Sequence, residues 1–117
     1  MKKIIFCFDI DNTICKTTTN KYSKSIPIKK NISIINKLYD KGHFINIYTS
    51  RYMGRTNSNK RKTILIGYKK TFNQLKKWKL KFHKLIMGKP RYDVFIDDKN
   101  LNYTKNWGKI LKKKYLD

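Results

Sequence analysis

The chain contains no alanine, no glutamate and a single valine, Val94. Its 7 acidic residues are all aspartates, set against 29 lysines and arginines. With 2 prolines and 5 glycines there is no Gly/Ser-rich linker, and 117 residues fit one domain, 1–117, around one core. A chain of this size buries roughly two-thirds of its unfolded surface. Cys7 and Cys15 suggest neither a disulfide framework nor a metal site, and read as one core thiol and one near the surface. No apolar run approaches the roughly 18 residues that a membrane-crossing helix needs. The start "MKKIIFCFDID" opens like a signal peptide, but its apolar run is short and no small-residue cleavage site follows. The expectation is an intracellular, cytoplasmic protein with no membrane partner (host cytoplasm for a viral one).

The formal charge of +22 invites a nucleic-acid reading. The residue types temper it. There are 25 lysines to 4 arginines, with 16 isoleucines and 11 asparagines. That skew follows A/T-rich codons. Selection for phosphate geometry favours arginine, whose planar fork pairs bidentately. A positive surface still attracts phosphorylated substrates, whatever its origin.

Apolar spacing gives the coarse organisation. "KKIIFCF" is a continuous apolar run, as in a parallel strand buried on both faces. A polar loop follows to Pro27. Ile28, Ile32, Ile35, Leu38 and Tyr39 recur at helical spacing, and Gly42 supplies a stop. "FINIYT" (44–49) is a second strand, and "SRYMGRTNSNKRK" a long basic loop. A helix is expected from Thr63 to Trp78, a weaker strand in "FHKLIMG", and a fourth strand in "YDVFID" (92–97). Helical spacing returns from Tyr103 to Tyr115. Strands alternating with helices predict a mostly parallel α/β sheet, right-handed crossovers and helices on both faces. Ligands in such sheets bind beyond the carboxyl ends of the strands.

Those ends carry the polar residues that matter. The first strand ends in Asp9, Asp11 and Thr13, and the second in Thr49, Ser50 and Arg51. Gly88, Lys89 and Pro90 follow the third. Asp97 and Asp98 close the fourth. Four of the 7 acids therefore fall in two pairs at one sheet edge. Ionised carboxylate pairs repel one another without a cation, and an oxygen-only cluster suits Mg²⁺. A lysine and a hydroxyl directed at the same spot suit a phosphoryl group. His43 and His83 lack ligand partners at a sensible spacing and read as structural.

These residues resemble the haloacid dehalogenase-like (HAD-like) phosphatases. "FDIDNT" resembles their first motif, DxDx[TV] after an apolar strand. "INIYTS" resembles the second, "GKP" the third and "VFIDD" the fourth, in order from residue 4 to 98. "INKLYDKGH", "YTSR" and "HKLIMGKPRYDVFIDDK" bring the chain closer to small members labelled capsule-biosynthesis phosphatases. Asn12 stands where many members have glycine, a position where asparagine tolerates left-handed backbone. Ser50 replaces a common alanine.

The resemblance implies a three-layer Rossmann-like sandwich and a phosphomonoesterase. Asp9 would be the nucleophile and Asp11 the general acid and base. Thr49 would hold the transferring phosphoryl, with Ser50 and Arg51 near the substrate. Lys89 would neutralise charge. Mg²⁺ would bind Asp9, Asp11, and Asp97 or Asp98. The gaps between motifs leave no room for a cap domain, so an open site is expected. A phosphorylated sugar or similar metabolite is the first substrate class, and a nucleic-acid 3′ end or nucleotide the second. From another class, a non-catalytic basic nucleic-acid-binding module on the same scaffold competes, although a binder has no need of Asp11.

Overall fold

The computed structural model describes residues 2–19 and 21–117. Among the described residues, the chain is an α/β protein with a parallel three-stranded sheet and three α-helices, consistent with a Rossmann-like arrangement. Strand β1 (Ile5–Phe8) pairs in parallel with β4 (Phe44–Thr49), and β4 with β5 (Lys84–Met87). A small antiparallel pair, β2 (Cys15–Lys16) with β3 (Ile26–Pro27), folds back the polar loop after β1. Helix α1 (Lys29–Asp40) links β1 to β4, and α2 (Lys60–Lys77) links β4 to β5. Helix α3 (Trp107–Tyr115) ends the chain.

The strands are buried on one face, not on both as expected. In β4, Ile45, Ile47 and Thr49 are buried while Phe44, Asn46 and Tyr48 are half-buried. In β1, Phe8 is buried, while Ile5 is 73% exposed. The sheet order β1-β4-β5 supplies the reason. Both crossovers step in the same direction, and right-handed crossovers then place α1 and α2 on the same face. Helix α3 joins them there, with Tyr115 against Phe6 and Trp107 against Phe8. The expected third layer is therefore not formed among the described residues. The core is this one interface, in which Ile35 and Leu38 of α1 and Leu75 of α2 are fully buried.

The expected fourth strand does not join the sheet. Residues 91–106 are exposed and form no strand, with Val94 74% and Ile96 90% exposed. Alternating apolar residues fit a pleated edge, but a strand exists only where a neighbour supplies the hydrogen-bond ladder. One helix boundary also moved. Helix α2 starts at Lys60 because the Asn59 side chain accepts a hydrogen bond from the Lys62 N–H, capping the first turn. Gly42 ends α1 as expected, with φ +91 and its N–H on the Tyr39 carbonyl. Among the described residues, no helix is long and apolar enough to cross a membrane.

Candidate active site

Three elements converge at the carboxyl edge of the sheet. The chain leaves β1 through Asp9, buries Ile10 and then places Asp11. Asn12 turns the backbone at φ 63, and its side-chain oxygen accepts from the Thr17 N–H. The end of β4 contributes Thr49, which is buried, and the loop after β5 contributes Lys89. The Lys89 N–H donates to the Thr49 carbonyl, which ties the two strand ends together. Gly88 makes that bend at φ +90, a conformation that side chains resist.

Asp9 and Lys89 form the first half of the site. The Lys89 ammonium lies 3.8 Å from Asp9 Oδ1. The lysine is itself buried, with the rings of Tyr92 and Phe95 each 5.1 Å from its nitrogen. Burial pushes the Asp9 carboxyl above the ordinary carboxylate range. Lys89, the Ile10 N–H and Arg51 oppose that shift, and Asp11 adds to it. The Asp9 side chain keeps 35% of its surface open, so a small anion can reach it.

Asp11 sits in a tighter network. Arg51 donates to it from Nε, at 3.2 and 3.0 Å from the two oxygens, and from Nη2 at 2.9 Å. The Thr17 hydroxyl donates to the same carboxylate at 2.6 Å. Arg51, expected near the substrate, is a buried residue, 2% exposed. Its remaining arm donates to Gln74 Oε1 at 2.6 Å, and the Tyr22 ring lies 4.7 Å from its carbon. Its N–H donates to Thr49 Oγ1, leaving that hydroxyl's own proton for another acceptor. Ser50 between them is half-buried. Thr17, Gln74 and Tyr22 were missed because they lie on a polar loop and a distant helix; no local spacing links them to Asp11.

Asp97 and Asp98 make no hydrogen bond or ion pair to this cluster among the described residues, although Asp97, like Asp9 and Lys89, acts electrostatically on the Cys7 thiol. Both are exposed, and Asp97 Oδ1 accepts from the Lys99 N–H in a local turn. Among the described residues, no group of three or more His, Cys, Asp or Glu side chains is placed to hold a metal. Asp9 and the Asp11 main chain offer oxygen donors of the kind Mg²⁺ prefers, but the arrangement shown is not a complete metal site. The histidines are structural. His43 Nδ1 accepts from the Ile4 N–H, and burial with nearby Lys3 and Lys41 lowers its pKa. His83 stacks on Tyr39 and Phe44, and its Nδ1 accepts from the Ile45 N–H. Cys15 is the buried thiol and Cys7 the exposed one.

No protein-family model matches the chain, and no curated protein matches it. The chain is similar in structure to an MCSG target from Vibrio cholerae solved by crystallography. The TM-score is 0.78 at 22% identity, covering 95% of this chain and 98% of that one. At that identity the likeness speaks for the fold alone.

Proposed function

We propose that the chain is a HAD-like, capless phosphomonoesterase working through an aspartyl-phosphate. The observation that supports this reading is the meeting of Asp9, Asp11, Thr49 and Lys89 at one sheet edge, with the lysine 3.8 Å from the Asp9 carboxylate. Asp9 attacks phosphorus, forming an O–P bond as the bond to the leaving oxygen breaks. A proton from Asp11 goes to that oxygen. Water then attacks phosphorus and gives its proton to Asp11, releasing phosphate and restoring Asp9. Lys89 and the Thr49 hydroxyl stabilise charge on the phosphoryl oxygens. Both Asp11 oxygens are bonded to Arg51, so proton delivery requires one of those bonds to be given up. Mg²⁺ is the cofactor that the motif set implies. When bound it would offset the repulsion between an anionic substrate and Asp9, with Asp9 and the Asp11 carbonyl as donors.

The test is turnover of p-nitrophenyl phosphate by purified protein with Mg²⁺. Hydrolysis that Asp9→Asn abolishes is expected. Absence of turnover across a broad panel of phosphate esters with metal present overturns the reading. A second reading, hydrolysis at a nucleic-acid 3′ end, draws on the exposed run Lys60, Arg61 and Lys62 at the start of α2. A 3′-phosphorylated oligonucleotide should then outcompete sugar phosphates in kcat/KM, with affinity falling steeply between about 50 and 200 mM salt.

A further inference from the structure

Lys89 is a buried residue, yet among the described residues no hydrogen bond engages its ammonium. The Asp9 carboxylate lies 3.8 Å away, an ion-pair distance beyond hydrogen-bond reach. Ring faces stand where hydrogen-bond acceptors are absent. The nitrogen lies over Tyr92 and Phe95, 5.1 Å from each ring centre, and over Tyr48 at 6.0 Å. Tyr48 is a half-buried residue of β4. Tyr92 and Phe95 come from the stretch that forms no strand, and their rings meet each other at 5.1 Å and 41°. Val94 and Ile96 of the same stretch stay in solvent. This pair of rings therefore reaches the reacting edge of the sheet through Lys89 itself.

A ring face suits this task for a physical reason. An ammonium withdrawn from water needs compensation, and the negative face of a ring supplies it. The attraction is to the whole charge and consumes no directed acceptor, so the three N–H donors stay available. A carboxylate in close contact would occupy those donors. The lysine stem has four rotatable carbons, and without the rings it can carry the ammonium out to solvent. The rings thus fix the charge beside Asp9 without satisfying it. That is the state in which a cation best receives an incoming oxyanion.

We infer that Tyr92 and Phe95 are positioning residues: they cradle the Lys89 ammonium beside Asp9 and keep its N–H donors free for an oxyanion. That the oxyanion is a transferring phosphoryl rests on the phosphatase reading, but oxyanion binding is testable without turnover. Both residues are about half exposed, at 48% and 49%, so changing them spares the core. Tyr92→Leu with Phe95→Leu removes the ring faces and keeps apolar bulk. The pair of changes should weaken inorganic phosphate about tenfold in a calorimetric titration and leave the thermal melt unchanged. Tyr92→Phe with Phe95→Tyr, which keeps both faces, should bind as the wild type does. On a Lys89→Met background the leucine pair should weaken phosphate by less than about twofold further, because the rings act through the lysine. The loss of kcat/KM should be equal for p-nitrophenyl phosphate and glycerol 3-phosphate. Phosphate binding that depends on the rings and on Lys89, with no turnover of any ester, would overturn the phosphatase reading and keep the cradle. Wild-type affinity in the leucine pair, or an equal loss on the Lys89→Met background, overturns the cradle. A wild type that does not bind phosphate overturns it too. So does a loss confined to p-nitrophenyl phosphate, which would make the rings a contact for the leaving group.

Discussion

Asp9 and Asp11 follow a strand paired into the sheet and are gripped by Lys89, Arg51 and Thr17. Asp97 and Asp98 lie on an exposed stretch, where Asp97 accepts from the Lys99 N–H of its own turn. In sequence the two pairs look alike, each an acidic doublet closing an apolar run. The difference lies in the neighbours. The first pair follows a strand whose parallel partner, β4, carries Thr49 and Arg51 to the same edge. The second follows a segment with no partner strand among the described residues. A carboxylate acquires a role from the cations and donors the fold brings to it, and that information is not local.

The harshest way to break the comparison is Asp9→Asn. Losing the proposed nucleophile should cut p-nitrophenyl phosphate turnover by at least about 10³-fold. Stability should hold or rise, because burial penalises the Asp9 charge that the variant removes. A thermal melt beside the assay checks both. Arg51→Leu comes next. It leaves Asp11 without its cation in a part-buried place, a loss of about 3 kcal/mol by denaturant midpoint. Arg51→Lys should recover little of it, since an ammonium cannot span both Asp11 oxygens while also reaching Gln74. If Arg51→Leu is neutral, the network around the first pair is no firmer than the turn around the second.

Acidity gives a gentler probe. Asp9 is displaced upward, mainly by burial, and Lys89 is the strongest influence holding it down. In the proposed role of nucleophile it must be ionised, so activity should fall as pH drops through a value above the ordinary carboxylate range. Lys89→Met should move that acid limb higher still. The stability effect of Asp9 runs the other way. A carboxyl whose folded pKa lies above its unfolded one costs stability above the folded value. That cost fades as pH falls toward the unfolded value. A pH profile of kcat/KM for both proteins, beside melts at the same pH values, checks the two signs together.

Much of this arrangement was legible. Helical spacing located α1 and α3, and the apolar runs located β1, β4 and β5. Asn12 turned with positive φ, as its place beside Asp11 suggested. What spacing does not encode is direction. Whether β1 is buried on one face or two depends on which way the crossovers step, and whether 92–97 is a strand depends on a neighbour to pair with. Arg51 shows the limit most clearly. Beside Thr49 it looked like a substrate contact, yet its partners lie 40 residues earlier, at Asp11, and 23 later, at Gln74. Tyr52, next to it, takes φ 68 and presses its ring onto Gly67, where a Cβ would collide with it. That glycine in mid-helix was a visible signal that something packs there.

The smallest structural effect should come from Asp97→Asn with Asp98→Asn. Both side chains are exposed, so the double variant should shift the unfolding free energy by no more than about 0.5 kcal/mol. Its effect on turnover sharpens the comparison. If the motif set describes the working enzyme, one of the two carboxylates supports Mg²⁺, and the variant should need at least about tenfold more Mg²⁺ for half-maximal rate. The exposed segment would then become part of the site only when cation and substrate are present. An unchanged Mg²⁺ requirement would leave the first pair as the whole acidic site and reduce the second to a surface turn. Lys99→Ala is the control: the turn uses the Lys99 main-chain N–H, so removing its side chain should alter neither stability nor Mg²⁺ demand.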